Sequence, residues 1–181
     1  MKIFFDFDGV MRHLGYPIFK RHPKYWNEQP PHWQEGYGYF DLVKWYTEKP
    51  ELLYFAPPTE YCQTVLTTCR QLEIMPEFVS CQPISWRDIT SKWITYYMWR
   101  YDFHRSWGIH WVREPEEKFN YIGKGNLIVE DYPLFKNNKQ VILIDRPYNK
   151  YVIKPFARVK TPKQLKNLLQ KLCKKESDKI G

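Results

Sequence analysis

Several acidic residues follow short apolar segments of this chain, where they could act together on a ligand. Asp6 and Asp8 lie within the run KIFFDFDGVM, Glu130 and Asp131 follow the segment LIV, and Asp145 follows VILI. Burying carboxylates without partners is costly, so we expect these groups to share a partner. Carboxylate oxygens, water and phosphate are the ligands that Mg²⁺ prefers, and the pattern therefore indicates a magnesium site.

The D-x-D-G spacing of the first acidic pair also occurs in calcium-binding hands. Such a loop needs a third Asp or Asn at the position of Val10 and a glycine at the position of Met11, and this chain has neither. The five histidines lack the spacing of zinc ligands, and we interpret them as not binding metal. The four cysteines form no C-x-x-C pair, which favours reduced thiols and a cytoplasmic protein.

Apolar segments that end in polar clusters alternate along the chain with helical patterns. This alternation predicts an α/β fold with a parallel sheet, in which ligands bind beyond the carboxyl ends of the strands. The predicted strands are residues 2–7, 63–69, 78–84, 109–114, 125–133 and 140–149. The predicted helices are residues 40–49, 85–103 with Ser85 as N-cap, and 161–175 with Thr161 as N-cap.

The predicted strand ends gather a set of polar side chains at one edge of the sheet. A β-branched run places two threonines there, although Thr59 after YFAPP is a second candidate for the same position. The side chains expected at this edge are those of Asp6, Asp8, Thr67, Thr68, Glu130, Asp131 and Asp145.

Charge and aromatic content favour an anionic partner. The net charge is +8, 18% of the residues are aromatic, and lysines crowd the last part of the chain. Phosphorylated metabolites and nucleic acid both fit this balance, and the basic C-terminal region makes nucleic-acid binding an alternative. No segment approaches the roughly 20 apolar residues of a membrane helix, and the start of the chain does not read as a signal peptide. We expect no membrane association.

Four motifs, in order, resemble the haloacid-dehalogenase-like phosphatases. They are DFDGV after a first strand, a hydrophobic strand ending in Thr, a later Lys, and LIVED. Within that superfamily, EKFNYIGKGNLIVEDYP followed by VILIDRPYN is similar to the 5'(3')-deoxyribonucleotidases. The resemblance covers residues 3–11 and 118–149 well and residues 60–100 loosely.

The resemblance implies a role for each matched residue. Asp6 would be the nucleophile that forms an aspartyl-phosphate, and Asp8 would protonate the leaving group and then activate water. Mg²⁺ would be held by Asp6, the backbone carbonyl of Asp8 and Asp131. Thr67 would bind a phosphoryl oxygen, and Lys118 would offset charge in the transition state.

The resemblance also implies a Rossmann-like three-layer core, residues 1–11 and 62–181, with a small helical cap inserted at residues 12–61. Lys124 and Lys92 compete with Lys118 for the lysine position, and Glu130 stands where the family usually has Asp. Further candidates for substrate contact are Thr68, Lys124 and Glu130. The cap aromatics that could face a nucleobase, by position only, are Trp26, Trp33, Tyr37, Phe40 and Trp45.

The expected activity is Mg²⁺-dependent hydrolysis of nucleoside monophosphates, with deoxy forms preferred. One alternative is a phosphatase that uses the same residues on nucleic-acid 3' or 5' ends. Another is a non-catalytic protein that binds nucleotides or nucleic acid on a decayed phosphatase scaffold. The intact pair Asp6 and Asp8 argues against the last alternative, whereas the altered second and fourth motifs argue for it. The sequence leaves the oligomeric state open, a homodimer included.

Overall fold

The computed structural model describes residues 1–14, 42–103, 107–133, 135 and 139–180. Four of the predicted cap aromatics, Trp26, Trp33, Tyr37 and Phe40, lie outside the described residues, as does most of the predicted cap insertion. No helix in the described ranges is long and apolar enough to cross a membrane.

Six parallel strands form one sheet, which confirms the predicted α/β class with an all-parallel sheet. The order across the sheet is β3-β2-β1-β4-β5-β6, and every neighbouring pair is parallel. The strands are β1 (Ile3–Phe5), β2 (Glu77–Cys81), β3 (Ile109–Val112), β4 (Leu127–Glu130), β5 (Val141–Ile144) and β6 (Ala157–Val159).

Helices separate most of these strands in sequence and follow the last one. The α-helices are α1 (Leu42–Glu48), α2 (Glu60–Gln71), α3 (Ile84–Arg100), α4 (Glu117–Ile122) and α5 (Pro162–Ile180). Two 3₁₀ helices, η1 (Pro50–Phe55) and η2 (Pro147–Asn149), complete the described elements. The predicted start of α5 is confirmed, because the amide of Gln164 donates to the Thr161 hydroxyl and Pro162 occupies the first turn.

Both faces of the sheet are buried, which is why β4 and β5 read as continuous apolar segments. On one face, Phe5 and Val129 pack with apolar side chains of α2, α3 and α5. On the other, Phe4 and Ile128 pack with α4, Phe135 and Val152. Side chains of adjacent strand residues thus alternate between two cores, and helices on both faces of a sheet give three layers.

The strand order reverses between β1 and β4. After β1 come α2, β2, α3 and β3, and the strands β2 and β3 lie on one side of β1. On the other side of β1 lies β4, followed by β5 and β6. In open parallel sheets the crevice at such a reversal is where ligands bind. Asp6 directly follows β1, and Glu130 and Asp131 end β4, so the acidic residues meet at this reversal.

The predicted strand at residues 63–69 is wrong, because these residues belong to α2. The Thr59 hydroxyl caps this helix by accepting the backbone N–H groups of Tyr61 and Cys62. Tyr61, Val65 and Cys69 then recur at helical spacing and enter the core beside the sheet. The strand next to β1 is instead β2, which ends at Cys81.

The described end of the predicted cap packs on the core. The Trp93 indole donates to the Ala56 carbonyl at 2.8 Å, and the rings of Tyr46 and Trp86 lie edge to face with centroids 5.7 Å apart. Both tryptophans belong to α3, so α1 and η1 lie against that helix. The boundary predicted between residues 61 and 62 falls inside α2, whose buried side chains belong to the core.

Candidate active site

Three buried carboxylates converge beyond the ends of β1 and β4. Asp6, Glu130 and Asp131 each offer one oxygen, and these oxygens all lie within 4.8 Å of one another. Glu130 is completely buried, while Asp6 and Asp131 are 7% and 2% exposed. The predicted convergence is confirmed for Asp6, Glu130 and Asp131, whereas Asp8 and Asp145 have other partners.

Lys118 supplies the positive charge of this cluster. Its ammonium group lies 2.6 Å from Asp6 Oδ1 and 2.5 Å from Glu130 Oε1, and the side chain is buried on α4. Burial by itself would lower the pKa of Lys118, but Asp6 and Glu130 more than offset this and raise it overall. Its rival Lys92 is instead an exposed residue paired with Asp88 on α3. Lys118 is therefore the lysine that the geometry brings to the nucleophile candidate.

Glu130 has partners inside the protein for both carboxylate oxygens. Its Oε1 accepts from Lys118, and its Oε2 accepts the backbone N–H groups of Asp131 at 2.8 Å and Tyr132 at 3.0 Å. The side chain therefore anchors Lys118 and fixes the turn after β4. This arrangement gives Glu130 an internal role in place of the predicted substrate contact.

If all three carboxylates were ionised against one ammonium, two excess negative charges would remain in a buried space. Burial, reinforced by Glu130, raises the pKa of Asp6 well above its ordinary value, and Lys118 opposes that shift. Burial, and to a smaller extent the charge of Glu130, raises the pKa of Asp131 to about 7, whereas the hydrogen bond from the Tyr148 hydroxyl lowers it. One divalent cation would match the two excess charges, and an all-oxygen donor set suits Mg²⁺. The residues present thus fit the predicted metal.

The Asp8 carboxylate belongs to a second set of contacts. Its Oδ1 accepts from Arg12 Nε at 2.8 Å, and its Oδ2 accepts from the Gln82 side-chain amide. Its side chain is therefore not part of the acidic cluster, and the predicted metal contact of Asp8, through its backbone carbonyl, stays a prediction. Arg12 is completely buried, with its guanidinium 5.0 Å from the centre of the Phe7 ring.

The loop after β1 turns sharply and brings the two acidic sets into neighbouring positions. The backbone N–H groups of Met11 and Arg12 both donate to the Phe7 carbonyl, at 2.7 and 3.0 Å. Gly9 has a φ of +84°, and a Cβ added there would lie 2.0 Å from Asp131 Oδ2. Only glycine allows both this backbone conformation and this close approach. The chain thus leaves extended geometry after β1, as predicted from the spacing of the two aspartates.

The segment Pro-Tyr-Asn after β5 holds Asp131 in place. The Tyr148 hydroxyl donates to Asp131 Oδ2, and the buried Asn149 amide donates to the backbone carbonyls of Asp131 at 2.9 Å and Ile144 at 2.7 Å. Arg146 reaches back to the Gly9 carbonyl at 2.9 Å. One short segment therefore ties the ends of β4 and β5 to the loop after β1. The motif is visible in the sequence as RPYN, but its contacts are not.

Several predicted site residues lie elsewhere. Thr67 lies within α2, where its hydroxyl donates to the Gln63 carbonyl at 2.7 Å, so its choice as a strand-end residue was wrong. Thr68 is buried in the same helix, facing away from solvent. Lys124 is exposed and precedes β4, which puts it beyond the amino end of that strand, away from Glu130.

The remaining candidates lie outside the cluster of three carboxylates. Asp145 follows β5 but pairs with Arg158 at 2.5 Å. Trp45, the described member of the cap aromatics, is half-buried in α1 with its ring 4.8 Å from that of Tyr46. Thr59, the alternative to Thr67, caps α2 and donates to the Val10 carbonyl.

Cys81 and Gln82 occupy the end of β2, next to the cluster. The Cys81 thiol donates to the Arg113 carbonyl at 3.1 Å, and burial raises its pKa to about 11. Cys81 is therefore a neutral thiol at physiological pH and a poor nucleophile. The contact of Gln82 with Asp8 was not predicted from the sequence. A single polar residue before a proline does not indicate a site residue unless the strand that precedes it is known.

The fold and site define a three-layer α/β protein with a buried acid–lysine cluster at the reversal of strand order. Comparison with protein-family models and with curated proteins finds no match for this chain.

Replacing Gly9 with alanine tests the close approach to Asp131. Gly9→Ala combines backbone strain with a collision against a buried carboxylate, whereas Gly123→Ala, at a φ of +74° with open space around it, carries the strain alone. A positive φ at a residue other than glycine costs about 1–3 kcal/mol. We expect urea unfolding to show a clearly larger loss of stability for Gly9→Ala. Equal losses in the two variants would contradict the packing described here.

The cluster also predicts how Mg²⁺ stabilises the protein at different pH values. A carboxyl group with a raised pKa in the folded state adds stability below its unfolded pKa of about 4, and that stability is lost as the pH rises through about 7. Without divalent cations, this contribution to stability therefore falls between pH 5 and pH 8. Mg²⁺ replaces the lost protons, so it should raise the melting temperature more at pH 8 than at pH 5.

Thermal melts of the wild type with Mg²⁺ or with a chelator measure this difference. Asp131→Asn should abolish most of the effect of Mg²⁺, while Asp88→Asn, a change on the exposed side of α3, should keep it. An Mg²⁺ effect of equal size at both pH values, or one preserved in Asp131→Asn, would refute the assignment.

Proposed function

We propose that this protein is a Mg²⁺-dependent phosphomonoester hydrolase of the haloacid-dehalogenase-like type, acting on nucleoside monophosphates. The observation that carries the proposal is the contact of Lys118 with both Asp6 and Glu130 at the reversal of strand order. The resemblance in sequence named the same acidic ends and the same lysine, and the geometry supports that combination.

Asp6 is the nucleophile in this mechanism. Its carboxylate attacks the phosphorus atom, and the bond from phosphorus to the leaving oxygen breaks while an aspartyl-phosphate forms. Lys118 lies against the same carboxylate and offsets the negative charge that builds up. The neighbouring thiol of Cys81 is neutral, which supports a carboxylate nucleophile over a thiolate.

The metal site uses carboxylates that already face one another. Asp6 and Asp131 would hold Mg²⁺ together with the Asp8 carbonyl, while Glu130 keeps its contacts with Lys118 and the backbone. When bound, Mg²⁺ screens the substrate phosphate from the cluster's negative charge. Asp131 is kept oriented towards this metal position by its hydrogen bonds with Tyr148 and Asn149 and by the close approach of Gly9.

Asp8 transfers protons to and from the reacting groups. It gives a proton to the leaving oxygen in the first step and takes one from the attacking water in the second, after which the bond between Asp6 and phosphorus breaks. Cys81 ends β2, the strand beside β1, where the resemblance calls for a hydrophobic strand ending in Thr. A thiol thus takes the place proposed earlier for the Thr67 hydroxyl.

The substrate class comes from the resemblance of residues 118–149 to the deoxyribonucleotidases. Nucleic-acid ends form a second candidate substrate, favoured by the exposed lysines Lys163, Lys171 and Lys174 on α5. Binding to a polyanion weakens steeply with salt, whereas hydrolysis of a mononucleotide does so far less. The salt dependence of kcat/KM therefore separates the two substrates.

Phosphate release tests the proposal directly. The wild type should release phosphate from 4-nitrophenyl phosphate and from some members of a panel of 5'- and 3'-mononucleotides and phosphorylated oligonucleotides, with Mg²⁺ required. Asp6→Asn should reduce turnover to background, because its amide cannot attack phosphorus, and Asp88→Asn should keep wild-type turnover. Undiminished turnover in Asp6→Asn would overturn the mechanism, and a wild type inert on the whole panel would favour the non-catalytic binding protein.

A further inference from the structure

Both oxygens of the Asp8 carboxylate are held by side chains that the mechanism above does not use. Arg12 Nε donates to Oδ1 at 2.8 Å, and the Gln82 amide donates to Oδ2. Asp8 and Gln82 are both buried, at 7% and 5% exposure. The carboxylate is therefore fixed in one orientation by two partners that come from different parts of the chain.

Thr90 fixes Gln82 in turn. The fully buried Thr90 hydroxyl, on α3, donates to Gln82 Oε1 at 2.9 Å. The Gln82 amide thus presents its NH₂ group to Asp8 and its oxygen to Thr90. The result is a directed chain of donors from Thr90 to Gln82 to Asp8 that crosses from α3 to the loop after β1.

Arg12 adds a constraint of its own. Its guanidinium lies over the rings of Phe7 and Trp93, with centroids at 5.0 and 6.0 Å, and its two terminal nitrogens have no hydrogen-bond partner among the described residues. Among the described residues, Asp8 is the only anionic side chain paired with Arg12. Separating them would leave a buried, uncompensated charge, so Asp8 Oδ1 stays with Arg12.

We infer that Gln82 and Thr90 are positioning residues, which orient Asp8 so that proton transfer runs through its Oδ2 atom. Oδ1 is committed to the fixed cation, whereas Oδ2 accepts one hydrogen bond from Gln82 and keeps a second lone pair. Gln82 lies just past the end of β2, beside β1, so this oxygen is held at the edge where Asp6 reacts. The inference rests on the proposed function.

Leaving-group dependence distinguishes positioning from a merely structural role. 4-Nitrophenolate is a good leaving group and needs little protonation, whereas the phenolate of phenyl phosphate depends more strongly on the proton from Asp8. A misoriented Asp8 should therefore lower kcat/KM for phenyl phosphate more than kcat/KM for 4-nitrophenyl phosphate. A purely structural defect lowers the amount of active protein and reduces kcat/KM for both substrates by the same factor.

Two variants test the chain of donors, with a matched conservative control. Gln82→Leu removes the donor to Asp8, Thr90→Val removes the hydroxyl at nearly constant shape, and Thr90→Ser keeps it. We expect the ratio of kcat/KM for 4-nitrophenyl phosphate to that for phenyl phosphate to rise about tenfold in Gln82→Leu. Thr90→Val should change it less in the same direction, and Thr90→Ser should stay at the wild-type ratio.

The Asp8→Asn background shows whether Gln82 acts through Asp8. There, Gln82→Leu should leave the ratio unchanged, because coupled residues are not additive. An unchanged ratio in both Gln82→Leu and Thr90→Val, or a further shift in the Asp8→Asn background, overturns the positioning role alone. If Gln82→Leu does not fold, the Thr90 pair decides the question. A wild type that hydrolyses neither substrate overturns the proposed function and the inference together.

Discussion

Three buried carboxylates, two of which share a single ammonium group, are the constraint on which this edge of the sheet depends. Asp6, Glu130 and Asp131 come from the ends of two neighbouring strands, and Lys118 comes from α4 on one face. Their uncompensated negative charge is expensive to bury, as the raised pKa of Asp131, about 7, makes plain. A divalent cation would relieve that cost, and we therefore predict that metal binding and the stability of the site are coupled.

Much of the surrounding structure holds this charge in place. Asn149 joins the ends of β4 and β5, Gly9 lets the loop after β1 approach Asp131, and Arg146 ties that loop to the segment after β5. Asp8 is kept apart by Arg12 and Gln82. The site thus contains two carboxylate environments, one rich in negative charge and one paired with a buried cation, which suits a division between nucleophile and proton carrier.

The strands that end in acids could be predicted from sequence because their apolar runs are continuous and their ends are charged. The parallel sheet and the convergence of Asp6 with Asp131 followed from that pattern, whereas Lys118 was named only through the resemblance of the motifs to a known family. Thr67 could not be placed, because the segment 63–69 is short and rich in β-branched residues, a pattern that favours a strand. Packing against the core and the Thr59 cap make this segment helical instead. Gln82 and Arg12 act through contacts between distant segments, which periodicity cannot show. β6, with three residues, was missed.

Trapping the phosphoryl group on Asp6 tests the central claim most directly. Asp8→Asn should accept a phosphoryl group from 4-nitrophenyl phosphate but release it slowly, since the residue that activates water is gone. Borohydride reduction of the acyl-phosphate, followed by mass spectrometry of the N-terminal peptide, locates the labelled residue. We predict modification at Asp6 that depends on Mg²⁺ and substrate and is absent from the Asp6→Asn, Asp8→Asn double variant. Label on another residue, or hydrolysis with no covalent intermediate, would contradict the account.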